Sequence, residues 1–106
     1  MMQRNIDFLR TLEQVIQDRA TSPSDNSYTS ALLRAGPKRI AQKVGEEAVE
    51  LALASVSGER QEQLDETADL LYHLLVLLND RGLCLADAVD VLEARHRHAG
   101  SGESAS

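Results

Sequence analysis

The chain is expected to fold as an all-α domain of about five helices, and three observations lead there. Ala, Leu, Glu, Gln and Arg are abundant, while Gly and Pro number only 6 and 2 in 106 residues, a composition that favours helix. Apolar residues recur at spacings of three and four, with no strand-like alternation and no internal repeat. The periodic stretches are separated by capping residues and breakers. At 106 residues the chain makes one domain. A chain of this size buries a little over ~60% of its unfolded surface. With no Trp, one Phe and two Tyr, its core must be aliphatic.

The elements follow in order. Asn5 can cap a first helix whose stripe is Phe8, Leu9, Leu12, Val15 and Ile16, and which fades near Ala20. Thr21 to Asn26 is rich in breakers and reads as a loop. Ser27 suits the N-cap of a short second helix carrying Tyr28, Ala31 and Leu32. Gly36-Pro37 ends that helix and starts a third, with Pro37 in the first turn it tolerates. The third helix runs to about Val56, and Ser57-Gly58 breaks it. The fourth runs from about Glu59 to Arg81, where Gly82 suits a left-handed cap. The fifth covers roughly Leu85 to His96, with Ala88, Val89 and Leu92 on one face. Residues Ala99 to Ser106 are small and polar and are expected to be a disordered tail, leaving 1–98 as the domain.

A formal net charge of −6 argues against DNA or RNA as partner, because phosphate backbones need Lys and Arg. The N-terminus lacks a signal-peptide apolar region. The longest strongly apolar run, Leu70 to Leu78, is interrupted by Tyr72 and His73 and falls short of the ~18 residues that span a bilayer. The single Cys84 cannot form an internal disulfide and points to a reducing compartment. A soluble, cytoplasmic protein with no membrane partner is expected. Its positive charge is uneven, since Arg34, Lys38, Arg39 and Lys43 fall within ten residues.

Two clusters of acid carry the chemistry. The first is Glu46, Glu47 and Glu50 on the third helix, and the second is Asp65, Glu66 and Asp69 on the fourth. At ~100° per residue, Lys43, Glu46, Glu47 and Glu50 share a narrow arc on an otherwise apolar helix. A helix apolar on most sides is a buried one, so these acids are expected to face an interior or a cleft. Glu66, Asp69 and His73 share a face of the fourth helix. The short Ser57-Gly58 turn makes the two helices antiparallel and sets Glu50 and Glu66 at similar heights, so the acids can converge. Like charges so placed repel, and burial disfavours their ionised form. A divalent cation relieves both effects, and oxygen-only ligands suit Mg²⁺ or Mn²⁺. Against this, Glu-rich helices are commonly solvated faces, and His73 reads as a satisfied core histidine or one that supports a ligand. Lys38 and Arg39 sit in the first turn of a helix, where the dipole disfavours cations and an anionic ligand would offset it.

Ser27-Tyr28-Thr29, the stretch from Gly36 to Glu47 (GPKRIAQKVGEE) and the stretch from Asp69 to Leu78 (DLLYHLLVLL) resemble the phosphoribosyl-ATP pyrophosphatases. The resemblance covers roughly residues 5 to 97. Its EExxE…ExxD pattern is common to MazG-like nucleotide pyrophosphatases, while the SYT and GPKRIAQKVGEE segments are specific to this branch. Ala48 stands where many relatives carry Gly, a change that should leave a metal site intact. In some organisms the domain is fused to the cyclohydrolase that acts next; with nothing before Met1, a stand-alone form is expected. The resemblance implies an all-α fold, Mg²⁺ dependence and an obligate homodimer, in which a second copy completes a four-helix bundle around the acids. The homodimer also suits a fourth helix that is apolar on many faces.

The implied reaction is the second step of histidine biosynthesis. The α–β phosphoanhydride of N1-(5-phosphoribosyl)-ATP is cleaved to phosphoribosyl-AMP and pyrophosphate by an in-line attack of water. Glu46, Glu47, Glu50, Glu66 and Asp69 are the candidates for holding Mg²⁺, and the resemblance selects Glu47, Glu50, Glu66 and Asp69. One of Glu46, Glu47 and Glu50 is the general base. Lys38, Arg39 and Lys43, with Arg34 as a lesser candidate, would pair with substrate phosphates, and Tyr28 would contact the base or ribose. Three rivals share parts of this pattern. A house-cleaning pyrophosphatase for dCTP, dUTP or mixed nucleotides has the acids but no need of the basic segment. A di-iron bundle needs two Glu-x-x-His motifs, and only Glu93-Ala94-Arg95-His96 is present. A non-enzymatic helical dimerisation module would not need acids on two helices at one level.

Overall fold

A computed structural model describes residues 4–24 and 26–100 of the chain. Among these the fold is all-α, as the sequence predicts: α1 (Phe8–Thr21), α2 (Tyr28–Ala35), α3 (Pro37–Ser57), α4 (Arg60–Asp80) and α5 (Leu85–Gly100). Three boundary signals act as expected. The Ser27 hydroxyl caps α2 by accepting from the Ser30 N–H at 3.1 Å. Pro37 opens α3 directly after Gly36, whose φ of 97° is one that glycine adopts without strain. Gly82 takes a φ of 74° after α4, and the Leu83 N–H returns to the Leu78 carbonyl at 2.8 Å.

Two boundaries differ. Asn5 is not the cap of α1, which starts at Phe8 behind Asp7 with no side-chain capping bond. The Asn5 and Ile6 carbonyls accept from the Phe8 and Leu9 N–H groups at 3.2 and 3.1 Å, so a main-chain turn does the work assigned to the Asn5 side chain. Helix α5 runs four residues past His96, and its last turn carries Arg97 and His98, cations that suit the negative end of the helix dipole. Of the expected tail, residues 101–106 lie outside the described residues, as does Asp25 of the expected loop.

The α3–α4 hairpin is the main packing unit, with α1 and α2 laid against it. The Gly58 N–H closes α3 on the Ala54 carbonyl at 2.7 Å, and the Gln63 side-chain amide donates to the Gly58 carbonyl at 3.2 Å. Ile16, Leu32, Ile40, Leu75 and Val76 form the buried core, ringed by Leu9, Leu12, Leu33, Tyr72, Leu77 and Leu85. Each fully buried side chain of this kind contributes about 1.5–3 kcal/mol. Helix α5 buries none of residues 85–99; it is tied to α1 at its first residue, where the Leu85 N–H donates to Glu13 Oε2 at 2.6 Å.

The expectation that α3 is buried on most sides is corrected. Only Ile40, Glu47 and Ala54 are buried. Val49, Leu53 and Val56 are 59%, 64% and 88% exposed. One chain covers only the side of α3 that meets its own neighbours.

Candidate metal centre

The hairpin brings acids of both helices together near its middle. One carboxylate oxygen each from Glu47 on α3 and Glu66 and Asp69 on α4 lie within 4.8 Å of one another. Glu47 and Ala54 lie one and two heptads beyond Ile40, on the side of α3 that faces the core. That spacing buries Glu47, while Glu66 is half-buried and Asp69 exposed. Glu50, one turn beyond Glu47 and open to solvent, lies close enough to raise the pKa of Glu66. The Glu66 carboxyl is pushed above its ordinary range. Desolvation is the largest cause, followed by repulsion from Glu50, Asp69 and Glu47.

Among the described residues, no Lys or Arg pairs with Glu47, Glu50, Glu66 or Asp69. Lys43 turns to Glu46 at 4.0 Å. Glu46 also accepts from Gln42 at 2.9 Å, lies on the exposed side and does not join the group. Of the three glutamates of α3, expected to face an interior or a cleft, Glu47 alone is buried, and Glu46 and Glu50 are exposed. Three close carboxylate oxygens with no cationic side chain fit a hard divalent cation such as Mg²⁺ or Mn²⁺.

The basic candidates lie N-terminal to the acids. Arg34 lies in the last turn of α2, Lys38 and Arg39 lie in the first turn of α3, and all three are exposed. Around α3, Arg39 and Lys43 fall within about 80° of Glu47, whereas Lys38 is about 180° away. Tyr28 stands in the first turn of α2 and is 53% exposed as a residue.

The sequence pattern gave no sign of how Tyr28, His73 and Glu47 are linked. His73 is buried. Its Nδ1 is 3.0 Å from Glu47 Oε1 and 2.8 Å from the Asp69 carbonyl, while its Nε2 is 2.9 Å from the Tyr28 hydroxyl. The available signal was the pairing of two adjacent polar residues, Tyr28-Thr29, with another two, Tyr72-His73, that interrupt the apolar run Leu70 to Leu78 of α4.

An all-α hairpin that brings carboxylates of two helices together, with no Lys or Arg paired to them among the described residues, defines a helical protein with a candidate divalent-cation site. The family model for phosphoribosyl-ATP pyrophosphohydrolase matches residues 9–96, and the chain belongs to that family. It is 59% identical over 90 residues to the histidine biosynthesis bifunctional protein HisIE of Xylella fastidiosa (strain Temecula1), an alignment covering 85% of this chain and 44% of the relative. The HisIE protein of Photobacterium profundum is 53% identical over 89 residues, covering 84% and 43%. That of Buchnera aphidicola is 50% identical over 91 residues, covering 86% and 42%. The chain thus spans less than half the length of these curated relatives.

Proposed function

We propose that the chain hydrolyses N1-(5-phosphoribosyl)-ATP to N1-(5-phosphoribosyl)-AMP and pyrophosphate, as the second step of histidine biosynthesis in the cytoplasm. The convergence of Glu47, Glu66 and Asp69 without a neutralising side chain carries the reading, in a chain that belongs to this family. The relatives' names supply the pathway.

In this reading Glu47, Glu66 and Asp69 hold Mg²⁺, with Glu50 at the edge of the site. The ion would draw charge from the phosphate oxygens as the anhydride breaks. Of the three glutamates of α3, Glu50 suits the base: it is exposed to water and adjoins the cluster without belonging to its three-oxygen core. It would take the proton of the attacking water. Glu46 is the weaker candidate because it is occupied by Gln42 and Lys43. Arg39 and Lys43, with Lys38 and Arg34 further off, would pair with the triphosphate and the ribose phosphate. Tyr28, which is exposed, is available to the base or ribose.

The working form is a homodimer in which a second copy covers α3 and α5 and completes a four-helix bundle. Its support is the apolar surface that one chain leaves open: Val49, Leu53 and Val56 on α3 and Val89, Val91 and Leu92 on α5. The radius of gyration of 16.0 Å also exceeds the ~13 Å of a compact chain of this length.

Pyrophosphate release tests the reading, with phosphoribosyl-ATP, ATP, dCTP and dUTP as parallel substrates, each with Mg²⁺ and with EDTA. Release from phosphoribosyl-ATP alone, abolished by EDTA, is expected. Comparable release from dCTP or dUTP would make the chain a general nucleotide pyrophosphatase, and no release from any substrate would leave a dimerisation module.

A further inference from the structure

Two contacts run side by side from the first turn of α2 to the middle of α4. The Tyr28 hydroxyl meets His73 Nε2 at 2.9 Å, and the Thr29 and Tyr72 hydroxyls are hydrogen-bonded to each other. The His73 ring stands edge-on to both tyrosines, with centroids 5.8 Å from Tyr28 and 5.1 Å from Tyr72. The imidazole is thereby held on three sides.

Its fourth side faces the acids. A backbone carbonyl can only accept, so the Asp69 oxygen at 2.8 Å from Nδ1 requires the proton to be on Nδ1. Glu47 Oε1 lies 3.0 Å from the same nitrogen, within reach of the same N–H. The side chains of His73 and Glu47 are only 7% and 8% exposed, so water does not compete for the contact. No side-chain polar atom buried among the described residues lacks a partner. A carboxylate held by a fixed donor has lost most of its freedom to turn away from a cation.

We propose that His73 is a positioning residue for the cation site, orienting the Glu47 carboxylate through Nδ1–H. The Tyr28-Thr29 turn of α2 is the brace that keeps the imidazole in place. This rests on the reading of Glu47, Glu66 and Asp69 as cation ligands. It gives the Ser27-Tyr28-Thr29 segment a role besides substrate contact: Ser27 caps α2, Tyr28 holds His73, and Thr29 pins the neighbouring Tyr72. Removal of an outer hydrogen bond of this kind typically weakens metal affinity about 10–100-fold.

The test uses binding rather than turnover. Nitrogen NMR of the metal-free wild-type protein should show His73 with its proton on Nδ1. Mn²⁺ titration calorimetry then compares wild type with His73→Asn, His73→Gln and Tyr28→Phe, with thermal midpoints measured alongside. Asn places an amide N–H near the Nδ1 position and Gln places one near Nε2. His73→Asn should bind within about threefold of wild type, and His73→Gln about 10–100-fold more weakly. Tyr28→Phe should weaken binding a few-fold, with melting points little changed. A proton on Nε2 alone would overturn the proposal. So would His73→Gln binding as wild type does, or equal weakening in the Asn and Gln variants. Wild type that binds no Mn²⁺ would remove the cation site and the proposal with it, whereas binding that is indifferent to His73 would remove only the positioning role.

Discussion

The two sides of α3 are inverted with respect to the ordinary rule for a chain in water. The inner side buries Ile40, Glu47 and Ala54, so a carboxylate lies between two apolar groups. The outer side exposes Val49, Leu53 and Val56, the last 88% open. A buried acid and an exposed apolar stripe are each more informative than the many residues that follow the rule. Burying a charge opposes folding unless it is paired, and here the partner of Glu47 is a histidine N–H in a cluster of other acids. If the proposed cation site is right, the inner side has been shaped by chemistry rather than by packing alone. The outer side leaves most of its apolar surface uncovered in a single chain.

The largest expected effect lies on the inner side. Glu47→Gln removes the buried charge with little change in size. If Glu47 holds the cation, several kcal/mol of charge stabilisation are at stake, and pyrophosphate release at saturating Mg²⁺ should fall about 10²–10³-fold. Full turnover in this variant would exclude Glu47 as a ligand. The outer side answers to Leu53→Asp. In the proposed dimer, burying an unpaired carboxylate at the interface opposes association by several kcal/mol, so sedimentation should show single chains where wild type should show dimers. A variant that stays dimeric would place the interface elsewhere. A milder pair sharpens the contrast: Ile40→Val on the inner side should lower unfolding stability by about 1 kcal/mol in urea. Val56→Ala on the outer side should stay within about 0.5 kcal/mol in a Leu53→Asp background that keeps the chain single. Equal losses at the two positions would mean that the outer stripe is covered within one chain.

Most of the fold was legible because local chemistry fixes it. Ser27, Pro37 and Gly82 act through their own side chains or backbone freedom, and a single sequence displays them directly. Asn5 misled because a main-chain turn can replace a side-chain cap without altering the residues present. The convergence of Glu47, Glu66 and Asp69 could be anticipated from helical spacing and one short turn. The burial of Glu47 but not of Glu46 or Glu50 could not, because it depends on which side of α3 meets α4. Nor could the Tyr28–His73–Glu47 chain, which joins residues 45 positions apart by contacts with no sequence period. The apolar girth of α3 was legible as pattern, but one chain buries only Ile40, Glu47 and Ala54 of that helix, since periodicity records that a surface is apolar and not what covers it.

The smallest effect concerns Glu66. Its carboxyl titrates above the ordinary range because of desolvation and of Glu50, Asp69 and Glu47 around it. A raised pKa in the folded protein means that the folded state holds the proton more tightly than the unfolded chain. The stabilisation is thus fully present below the unfolded value of 4.5 and is lost as pH rises through the folded value. In metal-free protein, Glu66→Gln removes that loss, so its melting point should match wild type in acid and exceed it slightly at neutral pH. The shift should be small because Glu66 is only half-buried and solvent screens the repulsion. Saturating Mg²⁺ should reverse the order, stabilising wild type more than the variant, because the repulsion that weakens the empty site is what a divalent cation neutralises. A variant whose melting point stays above that of wild type with Mg²⁺ present would show that the crowded carboxylates of α3 and α4 do not share an ion, and would return the inner side of α3 to plain acid repulsion.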